Sequence, residues 1–298
     1  MQSQTDSVII GGTATNGIDE ELSKIINIKL EKVSSRVFPD GESYIRAPSK
    51  LEGKDVILVQ STYPPQEKHI IELLLMLEAI KNQGPKRIIS IVPYFAYGRQ
   101  NERFLDGEAL SIKVILEAMH TNGADVLITV TPHNEKAIKM FHGEHISIEP
   151  IKRLAKALPR GLKNPIAVAP DEGAIEKTET FAKATGMETL HLDKFRDKNT
   201  GEIRLKDIPH IKLKGRDVVL IDDVVSTGKT LALAARTVHG LGAKAVIACV
   251  VHPLMVKGCY ESIKNAGIEQ VISSNTIPND RVKVVDISKD IAEALKTL

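Results

Sequence analysis

Apolar residues fall along this chain in two alternating rhythms. Short apolar runs predict buried strands over 8–10, 55–60, 87–92, 126–131, 166–169, 187–192, 218–221, 244–251, 271–272 and 282–285. Between them, apolar positions three and four apart predict helices over 17–26, 69–82, 108–122, 151–158, 174–185, 231–241, 258–265 and 287–298. In the helix over 69–82, Ile70, Leu73, Leu74, Leu77 and Ile80 share one face. Near the start, 37–46 reads as a hairpin bent at Pro39-Asp40-Gly41. Strand and helix in strict alternation predict an α/β fold with mostly parallel sheets flanked by helices.

The alternation repeats itself. KDVILVQS, a helix and KRIISIV in the first half mirror RDVVLIDDV, a helix and AKAVIACV in the second. This predicts an internal duplication of one α/β unit. The expected division is 1–144 and 145–298, with the closing helix packed on the N-terminal domain. The copies differ at one place: Gln60-Ser61 in the first stands where Asp222-Asp223 stands in the second.

That difference falls in the stretch that carries the chemistry, VVLIDDVVSTGKT at 218–230. An apolar strand, paired carboxylates, a short loop of Ser226, Thr227, Gly228, Lys229 and Thr230, then a helix start form a setting in which backbone N–H groups hold a phosphate. A nucleoside-triphosphate loop needs Gly five positions before the Gly-Lys-Thr, and Asp223 sits there. The short loop suits a phosphate monoester. The ionised carboxylates, which only accept hydrogen bonds, suit a ribose diol. The first copy therefore keeps the scaffold without the sugar-phosphate site.

Bulk composition narrows the picture further. The length of 298 residues suits two domains with ample core, and a net charge of +2 implies no polyanion partner. Few aromatics and no Trp argue against a base-stacking nucleic-acid platform. Cys249 and Cys259 read as buried thiols rather than a disulfide framework. The N-terminus lacks a basic leader, and no apolar run reaches ~18 residues. A soluble cytoplasmic protein is expected.

Other polar clusters lie at strand ends or in long connections. The stretch 93–107 is long and mixed in charge, and Arg99 and Arg103 are placed to grip a polyphosphate. His133 and Asp171 each follow a predicted strand, the end at which open α/β sheets hold ligands. In LDKFRDKNTGEI, Lys194 and Arg196 flank Phe195, and the charged excursion predicts a mobile hairpin.

Taken together, FPDGE at 38–42, RQNER at 99–103, TPH at 131–133, PDEG at 170–173, DKFRD at 193–197 and DDVVSTGKT at 222–230 resemble the ribose-phosphate pyrophosphokinase family. The likeness runs along almost the whole chain and implies two tandem phosphoribosyltransferase-like domains. It implies transfer of a diphosphoryl group from Mg-ATP to ribose 5-phosphate, giving 5-phosphoribosyl 1-diphosphate (PRPP) and AMP. Residue by residue, it makes Phe38, Asp40, Gly41 and Glu42 an adenine-contacting bend that reaches a neighbouring subunit's site, so the chain is expected to be at least a dimer. Arg99, Gln100, Asn101 and Arg103 match the ATP-contacting run, and His133 and Asp171 match magnesium-associated positions. Asp222 and Asp223 match the ribose contacts, and Ser226 to Thr230 the 5-phosphate loop. Lys194 and Arg196 match the catalytic loop, with Arg196 also near the ribose phosphate. The chain departs from the family pattern at Asn101, Thr131 and Ser226, where Asp is common, and at Lys229, where Gly is usual. Two other readings compete: a transferase that consumes PRPP with a nucleobase, and a non-catalytic regulator on the same scaffold. The first leaves the duplicated domain and FPDGE unexplained, and the second should have lost Lys194, Arg196, Asp222 or Asp223.

Overall fold

The computed structural model describes residues 7–192, 194–196, 203–205 and 213–298. They form two compact units. One runs to Glu149 and takes back Asp286–Leu298, and the other is Pro150–Val285.

The first unit contains β1 (Ser7–Gly11), α1 (Ile18–Ile26), β2 (Leu30–Lys32), β3 (Ser34–Val37), β4 (Ser43–Arg46), β5 (Asp55–Val59), α2 (Gln66–Lys81), β6 (Arg87–Val92), α3 (Ser111–Thr121), β7 (Val126–Val130), α4 (Glu135–Ile138) and β8 (Glu144–Ile148). Its six-stranded sheet has the order β2-β1-β5-β6-β7-β8, with every pairing parallel. Such strands are covered on both faces, which is why DVILV and RIISIV are nearly continuous apolar runs. Val8, Ile10, Val56 and Leu58 pack with Leu73, Leu77 and Ile80 of α2 and with Ile112, Leu116 and Met119 of α3.

The second unit contains α5 (Ile151–Ala155), β9 (Ile166–Ala169), α6 (Ile175–Thr185), β10 (Glu188–His191), β11 (Lys194–Arg196), β12 (Ile203–Leu205), β13 (Asp217–Val224), α7 (Lys229–Gly240), β14 (Ala245–His252), α8 (Cys259–Asn265), β15 (Ile268–Ser274) and β16 (Lys283–Val285). Its sheet is β10-β9-β13-β14-β15-β16, again all parallel. Strand for strand this is the order of the first unit. Val218, Leu220, Val246 and Ala248 pack with Leu231, Ala235 and Val238 of α7. The last helix, α9 (Ser288–Leu295), belongs to the first unit and packs on α1 and β8.

The duplication extends to the hairpins. In each unit an antiparallel hairpin leaves the sheet between its second and third strands: β3–β4 in the first, β11–β12 in the second. The FPDGE bend and the DKFRD stretch are thus the same topological insertion in two copies.

Several boundaries differ from the sequence expectation for identifiable reasons. The edge strands β2 (LEK) and β8 (EHISI) carry charge and alternate, so counting apolar runs misses them. Because β8 pairs with β7, the first sheet extends past the division expected at 144/145. β15 spans seven residues where only Val271 and Ile272 were anticipated, since Glu269 and Gln270 interrupt the apolar run. α3 begins at Ser111 rather than at 108, which leaves Glu108 in the preceding loop.

Candidate functional site

In the second unit the candidate residues gather at the carboxyl ends of adjacent strands. β13 runs through Asp222 and Asp223 to Val224, so the carboxylates lie on the strand itself rather than after it. β9 pairs with β13, Leu220 opposite Val168, and Asp171 follows two residues beyond the end of β9. Asp222 is half-buried. Burial, then the charges of Asp223 and Asp171, hold its carboxyl well above the usual carboxylate range. The N–H of Asp223 donates to Asp222 Oδ1 (2.9 Å), a smaller, opposing influence, and the N–H of Val224 donates to Asp223 Oδ1 (2.7 Å).

The loop that follows is short and braced. Met255 N donates to Val225 O (2.8 Å) and Val256 N to Ser226 O (3.0 Å). Gly228 caps α7 with φ 74°, and Lys229 N donates a long bond to Thr227 Oγ1 (3.5 Å). A Cβ at Gly228 would lie 2.8 Å from Ile263 Cγ2 and 2.9 Å from Cys259 Sγ, so only glycine fits. Lys229 and Thr230, expected in the loop, are the first two residues of α7. The amino end of the helix therefore adjoins the loop, with Thr227 exposed beside it, a setting whose dipole suits an anion.

The equivalent place in the first unit is sealed. Gln60 is fully buried, accepts from Ala14 N (3.0 Å) and donates from Nε2 to Thr13 Oγ1 (3.1 Å). The next loop residues turn inward as well: Tyr63 stacks edge-on against His69, whose Nδ1 contacts the Tyr63 carbonyl oxygen.

A second cluster lies in the first unit around the 93–107 loop. Arg99 and Arg103 are exposed. Glu108, missed by sequence reasoning, organises the loop: its Oε2 accepts from Phe104 N (2.7 Å), Leu105 N (3.1 Å) and Gln100 Nε2 (3.3 Å). Those first two N–H groups hold its carboxyl below the usual range. Arg103 Nε donates to Glu108 O (2.9 Å) and Asn101 Nδ2 to Gly98 O (3.3 Å). A Cβ on Gly98 would be 3.7 Å from that of His133, so the loop runs against His133. Two bulky residues here have left-handed backbone: Tyr97 at φ 63° and the buried Thr131 at φ 39°. Strain of this kind concentrates at functional sites. Tyr97 is held by a hydrogen bond from its hydroxyl to Glu67 Oε1 (2.8 Å).

Phe38, Asp40, Gly41 and Glu42 form the exposed bend of β3–β4, closed by Phe38 N to Glu42 O (2.8 Å) and Gly41 N to Phe38 O (2.9 Å). The Arg36 guanidinium lies 5.2 Å from the Phe38 ring centroid and 4.5 Å from that of Tyr44. Arg36 and Tyr44 are cross-strand partners, so this cation–π stack follows from the register. No motif pointed to Arg36. The signal available was the alternation of Arg36 and Phe38 on one strand face.

Lys194 and Arg196 lie on β11, whose backbone pairs with β12, Lys194 opposite Leu205 and Arg196 opposite Ile203. Asp193, Asp197 and the rest of the turn of the expected mobile hairpin lie outside the described residues. His133 belongs to the first unit and Asp171 to the second. No helix among the described residues is long and apolar enough to cross a membrane.

Comparison with known proteins matches both halves of the chain. Residues 7–123 match the N-terminal domain of ribose phosphate pyrophosphokinase, and residues 137–286 match the phosphoribosyl transferase domain. A ribose-phosphate pyrophosphokinase of Sulfurisphaera tokodaii is 47% identical over 97% of this chain and 100% of its own length. Its counterpart in Saccharolobus solfataricus is 45% identical with the same coverage. The crystal structure of phosphoribosylpyrophosphate synthetase from Mycobacterium smegmatis has the same fold, with a TM-score of 0.87 over 98% of each chain at 24% identity. On the full-length relatives and the two domain matches, this chain belongs to the ribose-phosphate pyrophosphokinase family.

Proposed function

We propose that the chain transfers the diphosphoryl group of Mg-ATP to the 1-hydroxyl of ribose 5-phosphate, giving PRPP and AMP, and that it does so in the cytoplasm. One observation carries the reading: the likeness to ribose-phosphate pyrophosphokinases spans both units and the whole length of those relatives. A transferase that uses PRPP and a base accounts for the second unit alone.

The residues divide the work as follows. N–H groups of the 226–230 loop and of α7 bind the 5-phosphate. Asp222 and Asp223 accept hydrogen bonds from the ribose diol. Arg99, Gln100, Asn101 and Arg103 contact the ATP polyphosphate, and Phe38, Asp40, Gly41 and Glu42 contact adenine in a neighbouring subunit of a homo-oligomer. Lys194 and Arg196 bring positive charge to the phosphate oxygens as the reaction proceeds, with Arg196 also near the ribose 5-phosphate.

Magnesium fits the donor set of the second unit. The charges of Asp223 and Asp171 bear on the Asp222 carboxyl, and a cation relieves that repulsion. Among the described residues no three His, Cys, Asp or Glu side chains could hold an ion by themselves. Mg²⁺ does not need them, since it fills its octahedron with water and phosphate oxygens. Asp171 and His133 are the metal-associated positions. When bound, Mg²⁺ supplies charge neutralisation of the polyphosphate.

The test compares substrate pairs. ATP with ribose 5-phosphate should give PRPP, and PRPP with any nucleobase should give no nucleotide. Turnover with the second pair alone would overturn the proposal.

A further inference from the structure

Glu72 is a carboxylate for which the chemistry above has no use, and solvent hardly reaches it: its side chain is 3% exposed. It sits in mid-α2 beside Leu73 and Met76, where an apolar residue would pack at lower desolvation cost. Three segments converge on it. Thr13, in the loop after β1, donates its hydroxyl to Oε2 (2.5 Å). Ser43 donates its hydroxyl to Oε1 (3.1 Å). Lys68, one turn earlier on α2, places Nζ 3.8 Å from Oε1.

Ser43 is the informative partner. It is the first residue after the Phe38–Glu42 bend and pairs with Val37 across the hairpin. The hairpin is held on one side only: Ile45 of β4 packs against the apolar core, and β3 has no such contact among the described residues. All of β3 is exposed, Val37 by 55% and Phe38 by 38%. A lone two-stranded hairpin is marginal in water. The Arg36 stack fixes the Phe38 ring within the hairpin, but only attachment to the body of the unit fixes where the hairpin points. β4 packs on α2, and the Ser43–Glu72 bond lies in that contact.

We propose that Glu72 is a positioning residue for the nucleotide: by holding Ser43 from within α2, it sets the angle at which the Phe38 bend is presented. This rests on the reading of residues 38–42 as the adenine contact. Thr13 holds Oε2, while the Lys68 ammonium and the Ser43 hydroxyl share Oε1.

The test is steady-state kinetics on the full chain, with Ser43→Ala, Glu72→Gln, Thr13→Val and Phe38→Ala compared alongside thermal melts. Ser43→Ala removes the hairpin's bond and leaves Thr13 in place. It should raise KM for ATP about five- to tenfold, the size of one ordinary net hydrogen bond. Its kcat, its KM for ribose 5-phosphate and its Tm should stay close to those of the parent. Glu72→Gln should do the same if it folds, and Ser43→Ala decides if it does not. Thr13→Val should lower Tm and raise KM for ATP less than Ser43→Ala does, and a larger rise than that of Ser43→Ala would overturn the proposal. If Phe38→Ala raises KM for ATP and Ser43→Ala does not, the proposal fails and the adenine reading stands. If Phe38→Ala leaves KM for ATP unchanged, that reading fails and the proposal with it. Equal increases in both KM values for Ser43→Ala would make the bond purely structural and overturn the proposal.

Discussion

The backbone N–H of Asp223 donates to Oδ1 of Asp222 over 2.9 Å, at the end of a strand whose preceding five residues are all buried. This bond does not offset the burial of Asp222 and the charges of Asp223 and Asp171, so its carboxyl is held well above the usual range. A raised folded-state value means the native protein keeps a proton that the unfolded chain has lost. Stability is therefore full below the ordinary carboxylate range and falls as pH rises through the raised value. Without metal at about pH 8, Asp222→Asn should melt a few degrees above the parent, roughly the effect of 1 kcal/mol in a domain of this size. The gap should shrink as pH falls to about 3, below the ordinary Asp value, where the carboxyl is mostly protonated in both states. Mg²⁺ should raise the Tm of the parent at the higher pH and that of Asp222→Asn less. A parent more stable than Asp222→Asn at the higher pH without metal would contradict the assignment.

Gly228 offers a sharper probe of the phosphate loop. Its φ is 74°, and an added Cβ would lie 2.8 Å from Ile263 Cγ2 and 2.9 Å from Cys259 Sγ. Gly228→Ala should cost about 1–3 kcal/mol of stability. It should raise KM for ribose 5-phosphate about tenfold or more while leaving KM for ATP within about twofold. Kinetics on both substrates decide the matter, and an unchanged KM for ribose 5-phosphate would remove the loop from the site.

The two thiols give a prediction about packing rather than chemistry. Burial pushes Cys249 up to about 12 and, with the Glu261 charge as a smaller second cause, Cys259 up to about 11. Neither carries a disulfide. A thiol reagent such as Ellman's at about pH 8 should find no fast-reacting group in the folded protein and both after denaturation. Rapid reaction of either thiol in the folded state would show that the middle of β14 or the start of α8 opens readily.

Lys194→Ala tests the catalytic loop. If its charge acts mainly in the transition state, kcat should fall on the order of 10²–10³-fold with little change in either KM. Tm should barely move, since such loop substitutions usually stay within about 0.5 kcal/mol. A normal kcat with only a raised KM would make the loop a binding lid.

Much of this was legible in the sequence because buried parallel strands announce themselves. VVLI and VILV leave no other reading, and the duplication follows from their spacing. What stayed hidden was held by polar atoms. The edge strands β2 and β8 carry charge and alternate. Glu108 looked like the start of a helix, and only the fold shows its carboxylate gathering the N–H groups of Phe104 and Leu105. Glu72 lies in the 69–82 helix among residues the apolar period does not single out, and only the fold shows Thr13 and Ser43, distant in sequence, converging on it. Hydrophobic periodicity reports what is buried against water. It says nothing of which carboxylate a remote hydroxyl will find.

The central claim is that the diphosphoryl group, not a single phosphoryl group, moves from ATP to ribose 5-phosphate. The direct measurement is chromatographic quantification of nucleotide products from ATP, with and without ribose 5-phosphate and with and without Mg²⁺. The account predicts AMP, formed in step with PRPP, only when both ribose 5-phosphate and Mg²⁺ are present. Accumulation of ADP in place of AMP, or AMP formed without ribose 5-phosphate, would contradict it.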